Sequence, residues 1–219
     1  MTDIAIVDYG MGNLRSVSKA LEHVAPTASI VVTSDPAVVR QAGRVVVPGQ
    51  GAMPNCMHEL EIRGLRDVVL EAAASKPFLG ICIGLQMLFE ESEEGNIKGL
   101  NILPGKVLHF PASAMTTPDG QKLKVPHMGW NQVYQTMDHP LWNDIAEDAR
   151  FYFVHSYFVE TTDLASIAAQ SNYPFPFTCA VAKDNIFAVQ FHPEKSQVAG
   201  LTLLSNFAQW TPHFRNQAG

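Results

Sequence analysis

The feature that most constrains the fold is a series of short, almost unbroken apolar runs: "IAIVD" (4–8), "SIVVT" (29–33) and "RVVVPG" (44–49). A strand with one wet face alternates apolar and polar residues, whereas a strand that is apolar throughout must be covered on both faces. Between the first two runs, "NLRSVSKALEHV" (13–24) sets Leu14, Val17, Leu21 and Val24 three or four apart, which makes one apolar helical stripe with Asn13 as its N-cap. A further helix is expected from about 60 to 74, before Lys76 and Pro77, and it leads into the strand "FLGI" (78–81). Buried strands separated by helices imply a doubly wound parallel sheet, whose functional groups gather at the carboxyl ends of the strands.

After Gly99 the pattern changes. "KVLHF" (106–110), "FYFVHSYFVE" (151–160), "FTCAVA" (177–182) and "IFAVQF" (186–191) are rich in β-branched and aromatic residues, with a hairpin turn expected at "KDN" (183–185). Ser196 then opens a last helix on which Val198, Leu201, Leu204 and Phe207 share a face. The expected fold is α/β: a three-layer, doubly wound mixed sheet with a parallel core and antiparallel strands from the C-terminal half. No repeat or linker-like stretch interrupts it, so residues 1–219 read as a single domain.

Charge and composition exclude several functions. Fifteen Lys and Arg against 21 Asp and Glu give a net charge of -6, and no basic stripe carries interleaved aromatics, so nucleic acid is not an expected partner. No apolar run approaches ~20 residues, and an acidic residue stands near the start where a secretory signal needs positive charge. A cytoplasmic protein with no membrane contact is the expectation. Three cysteines without close pairs (Cys56, Cys82, Cys179) suggest neither a disulfide framework nor a zinc site, and no metal or cofactor is implied.

Chemistry concentrates in "FLGICIGLQML" (78–88). A strand running straight into a helix strains the residue at the corner, and Gly80 and Gly84, two positions to either side of Cys82, relieve the crowding. This is the cysteine counterpart of a G-x-S-x-G nucleophile elbow, with a helix N-terminus that favours thiolate over thiol. The N–H of Ile83 is then free for an oxyanion, and one such donor is worth ~3 kcal/mol to a transition state. A packing cysteine between glycines reads the same way, so a base has to be found. "FAVQFHPEKS" (187–196) supplies one: His192 and Glu194, two apart after an apolar strand, point to one side if the chain stays extended, so that Glu194 orients the ring while its other nitrogen faces a thiol. The H-x-E spacing also occurs in zinc deaminases, but no P-C-x-x-C follows. A glycine-rich turn in "VPGQGAM" (47–53) offers the N–H of Gln50 as a second oxyanion donor. Cys56, read as lying in a loop, and Cys179, inside a strand pattern, are structural.

With "PGQG", "GICIGLQ" and "FHPE" in this order, the chain resembles the class I, triad-type glutamine amidotransferases over nearly its whole length. Within that family it is most similar to the glutaminase subunits of imidazole glycerol phosphate synthases, through "DYGMGNL" (8–14), "GLQMLFEESEEG" (84–95), "VPHMGWNQV" (125–133) and "FVHSYFVE" (153–160). The resemblance implies that Cys82 attacks the glutamine side-chain amide, that His192 protonates the departing ammonia and then activates water, and that Glu194 orients His192. It implies that Gln86, Glu94, His155, Ser156 and Tyr157 hold glutamine, with Gly51 lining its backbone approach. It further implies a heterodimer in which Asn13, His127, Met128 and Trp130 meet a (β/α)8 barrel cyclase/synthase subunit that receives the ammonia for a step of histidine biosynthesis. Position 50, often valine in that family, is Gln here. The alternatives are another ammonia-channelling glutaminase, of the anthranilate or GMP synthase type, and a free-standing cysteine hydrolase of γ-glutamyl compounds.

Overall fold

Strand and helix take turns through the first half: β1 (Ile4–Val7), α1 (Leu14–Val24), β2 (Ile30–Thr33), α2 (Pro36–Gln41), β3 (Arg44–Gly49), α3 (Met53–Ile62), α4 (Arg66–Ser75), β4 (Phe78–Cys82) and α5 (Ile83–Gln86). Strands dominate thereafter: β5 (Glu91–Ser92), β6 (Ile97–Lys98), β7 (Gly105–His109), β8 (His127–Gln132), β9 (Tyr134–Gln135), β10 (Arg150–His155), β11 (Tyr157–Thr161), β12 (Ile167–Asn172), β13 (Pro176–Lys183) and β14 (Ile186–Val189), before α6 (Gln197–Gln209). The computed structural model describes residues 2–117 and 119–212, so residues 1, 118 and 213–219 of the expected 1–219 unit lie outside the described residues.

Twelve of the described strands form one mixed sheet, ordered β2-β1-β3-β4-β14-β13-β11-β7-β5-β6, with β12 on β13 and β9 on β12. From β2 to β14 the neighbours run parallel. At β13 the direction reverses through the expected hairpin, where Asp184 takes φ 51°, and β11 and β7 follow antiparallel. The strands β1, β4 and β14 are buried along their whole length, as their apolar runs require, whereas β2 at the edge is only partly covered. Two pairs of helices, α1 with α6 and α2 with α4, pack together over the sheet. None of the described helices is long and apolar enough to cross a membrane.

Three expectations are corrected. The helix expected over 60–74 is two helices, because Gly64 (φ 65°) closes α3 with a Schellman turn: Leu65 N–H donates to the Leu60 carbonyl and Gly64 N–H to that of Glu61. Asn13 and Ser196 stand at the N-cap positions of α1 and α6 but make no side-chain cap bond. Their polar groups go to the site described below. "FYFVHSYFVE" also divides at Ser156: β11 joins the main sheet, and β10 pairs with β8 in a separate two-stranded ribbon.

Candidate active site

Parallel order brings the carboxyl ends of β3, β4 and β14 side by side, with Gly49 in register with Cys82 and Val189 with Ile81. Cys82 lies at the corner between β4 and α5 with φ 56° and ψ −108°, a conformation that costs a non-glycine residue about 1–3 kcal/mol. The flanking glycines make the corner possible. A Cβ on Gly84 would overlap the carbonyl of Val47, and one on Gly80 would come within 2.7 Å of the Gly84 oxygen. Gly49 is equally constrained, since a Cβ there would meet Ile83 Cβ at 2.6 Å and Tyr9 Oη at 2.7 Å.

His192 follows β14. Contrary to the extended geometry expected, the chain folds at Pro193–Lys195 into a 3-10 turn, and this turn returns Glu194 to the ring. Glu194 Oε1 lies 2.9 Å from His192 Nδ1, which leaves Nε2 without a hydrogen-bond partner among the described residues. Asn13 Nδ2 donates to the same carboxylate oxygen at 3.4 Å. The backbone of the turn is clamped: His192 N–H donates to the Tyr152 carbonyl, and Ser196 Oγ donates to the His192 carbonyl while accepting from Tyr152 N–H. Burial alone would lower the imidazole pKa. The Cys82 thiol and the Glu194 carboxylate beside the ring outweigh it together and raise the pKa to about 10. A cationic ring next to the sulfur is the electrostatic requirement of a thiolate nucleophile.

A cavity of about 340 Å³ opens over the sulfur, lined by Gln50, Gly51, Cys82, Ile83, Gln86, Glu94, His155, Ser156, Tyr157 and His192 together with Pro126, Val154 and Lys195. Every residue singled out for nucleophile, base, oxyanion or substrate binding therefore borders this space, except Glu194, which stands behind the ring. The N–H groups of Gln50 and Ile83 make no backbone hydrogen bond among the described residues. The turn carrying Gln50 is held from beneath, by Tyr9 Oη donating to the Pro48 carbonyl at 2.6 Å and Cys56 Sγ to the Gln50 carbonyl at 3.5 Å. Cys56 thus lies on α3 and not in a loop, and burial pushes its thiol up to about 11. Burial likewise raises that of Cys179.

The acidic run around Glu94 is exposed at Glu90, Glu91 and Glu93 yet tied to the backbone. Glu94 Oε2 accepts from Met53 N–H at 2.7 Å, at the start of α3, while Glu90 and Glu93 accept from the backbone of Gly105 and His109. His155 donates from Nδ1 to the Tyr157 carbonyl at 2.7 Å and, through Nε2, contacts Nδ1 of His127 at 2.9 Å. His127, read as a surface contact, is 3% exposed, stacked between Phe153 and Tyr173. Strand alternation explains this: His127 faces in, and its neighbours Met128 (62%) and Trp130 (38%) face out. Gln190 was missed altogether, although a polar residue in the apolar run "FAVQF" is the signal that finds it.

A family model for "Glutamine amidotransferase class-I" matches residues 5–210. Imidazole glycerol phosphate synthase subunit HisH of Nitrosospira multiformis is 73% identical over 97% of this chain and 100% of its own length. The protein of that name from Aromatoleum aromaticum is 66% identical over the same shares. Among solved structures, the glutaminase domain of Trypanosoma brucei CTPS superposes with a TM-score of 0.62 over 100% of this chain and 98% of that one at 17% identity, a likeness of fold. The cysteine corner, the histidine turn and the cavity between them occur in a chain that belongs to the class-I glutamine amidotransferases.

Proposed function

We propose that this chain is the glutaminase subunit of an imidazole glycerol phosphate synthase, splitting glutamine through a Cys82 thioester and passing the ammonia to a (β/α)8 barrel partner. The observation that carries the reading is the convergence of Cys82, the His192–Glu194 pair and an amino-acid-sized cavity at adjacent strand ends. Relatives of 73% and 66% identity bearing the synthase subunit's name support the choice of synthase.

In this mechanism His192 holds the thiol proton, and the Cys82 sulfur attacks the side-chain carbonyl carbon of glutamine. The N–H groups of Gln50 and Ile83 take the developing oxyanion. Collapse of the adduct breaks the C–N bond as His192 gives its proton to the nitrogen, and ammonia leaves. His192 then takes a proton from water, the hydroxide adds to the thioester, and the C–S bond breaks to release glutamate and the thiolate. Glu194 keeps Nε2 aimed at the reacting atoms throughout. Glu94, Gln86 and the 155–157 segment hold the amino acid, with Gly51 leaving room for its backbone.

The outward face of the β8–β10 ribbon, Met128 and Trp130, together with Asn13, meets the barrel subunit, and the inward His127 supports that face from behind. No metal or cofactor takes part. Three unpaired thiols support a reducing, cytoplasmic setting. The test is glutamate release from glutamine by the chain alone and with a barrel synthase subunit plus its ribonucleotide ligand, with Cys82→Ala as blank. Slow release alone that rises by orders of magnitude in the complex is expected. Rapid release indifferent to the partner would replace this reading with that of a free-standing hydrolase.

A further inference from the structure

We propose that Gln190 is a further catalytic residue: its side-chain amide holds the Cys82 sulfur and, by the same hydrogen bonds, fixes which end of Gln86 faces the ligand. The inference rests on the glutaminase reading. Parallel pairing of β14 with β4 sets Val189 opposite Ile81, and the next step along each strand brings Gln190 beside Cys82. Gln190 is fully buried, and its Nε2 lies 3.6 Å from Cys82 Sγ, within hydrogen-bond range for sulfur.

The orientation of the amide follows from its neighbour. Gln86 Nε2 donates to Gln190 Oε1 at 3.0 Å and to the Tyr157 carbonyl at 3.3 Å. Turning Gln190 over would set two N–H groups against each other, so its donor end must face the sulfur. With both of its N–H groups spent, Gln86, which lines the cavity, is left with Oε1 as a buried acceptor with no partner among the described residues. Such an acceptor calls for a ligand N–H, which the ammonium or amide of glutamine can supply.

A neutral donor suits a sulfur that alternates between anion and thioester. It stabilises the thiolate left in a buried site without a second permanent cation to compete with His192, and it weakens when the sulfur becomes acylated. One buried N–H to an anion corresponds to about 10- to 100-fold in rate.

The experiment compares the parent with Gln190→Met, an unbranched replacement lacking the donor, and with Gln86→Leu. Alkylation of Cys82 by iodoacetamide, which needs no glutamine turnover, is followed against pH, alongside kcat and KM for glutamate release in the partner complex. Gln190→Met is expected to shift the alkylation profile to higher pH and lower kcat about 10- to 100-fold. Gln86→Leu, which removes the bond that orients Gln190, is expected to raise KM and to move the alkylation profile in the same direction by a smaller amount. A Gln190→Met protein with the parental profile and kcat overturns the proposal. Should that variant fail to fold, the 15N-labelled side-chain amide of Gln190 in the parent chain decides: its resonance should move as Cys82 is alkylated, and a resonance that stays put overturns the proposal. Because alkylation needs no glutamine turnover, failure of the glutaminase reading would appear in the parent itself, as absent glutamate release, separately from failure of Gln190.

Discussion

At the scale of single residues, the site depends as much on what is missing as on what reacts. Cys82 can hold its positive φ only because Gly80, Gly84 and Gly49 leave the corner unfilled. Gly84→Ala is therefore expected to destabilise the protein by at least about 3 kcal/mol, read as the midpoint of urea unfolding, because the obstructing Val47 carbonyl belongs to a central strand and cannot move aside. A shift below 1 kcal/mol would show that the corner has slack. The glycines and the Cys82, His192 and Glu194 set were readable from short motifs, since local spacing dictates where a corner or a turn can form. For Gln190 the polar residue in "FAVQF" marks a position but not its contact, because the sulfur it meets lies 108 residues away.

Elements explain the departures. The apolar stripe over 60–74 reads as one helix, but Gly64 in the left-handed region provides a stop that the pattern of apolar residues does not contain. A Cβ on Gly64 would meet no atom within 4 Å, so Gly64→Ala isolates the backbone conformation. It should cost about 1 kcal/mol in the same urea assay, and a neutral or stabilising result would show that the turn does not need φ above zero. The β8–β10 ribbon makes the complementary point: alternation divides one motif between a buried face, where His127 and His155 link side chains, and an exposed face with Met128 and Trp130. The motif gave the segment but not the face, because face depends on the partner strand.

Across the whole molecule, buried histidines of opposite tendency set the response to pH. Desolvation holds His127 at about 4 and His155 at about 3, so the folded chain refuses protons that the unfolded chain accepts near 6.5. Stability is thus expected to fall as pH drops below ~6.5, by about 2 kcal/mol for each of these two histidines between pH 7 and pH 5. His192, raised to about 10, has the opposite sign: its contribution is complete below ~6.5 and lost as pH rises towards 10. Equal urea midpoints at pH 7 and pH 5 would refute the acid limb. The sequence by itself determined the alternation of buried strands and helices, the strained cysteine between glycines and the pairing of His192 with Glu194, because each is set by neighbours within a few residues. Tertiary structure alone decided that Gln190 faces the sulfur, that His127 points inward and that Glu94 meets the start of α3. Those contacts depend on strand order and register, which arise only when distant segments pair and bury a common core.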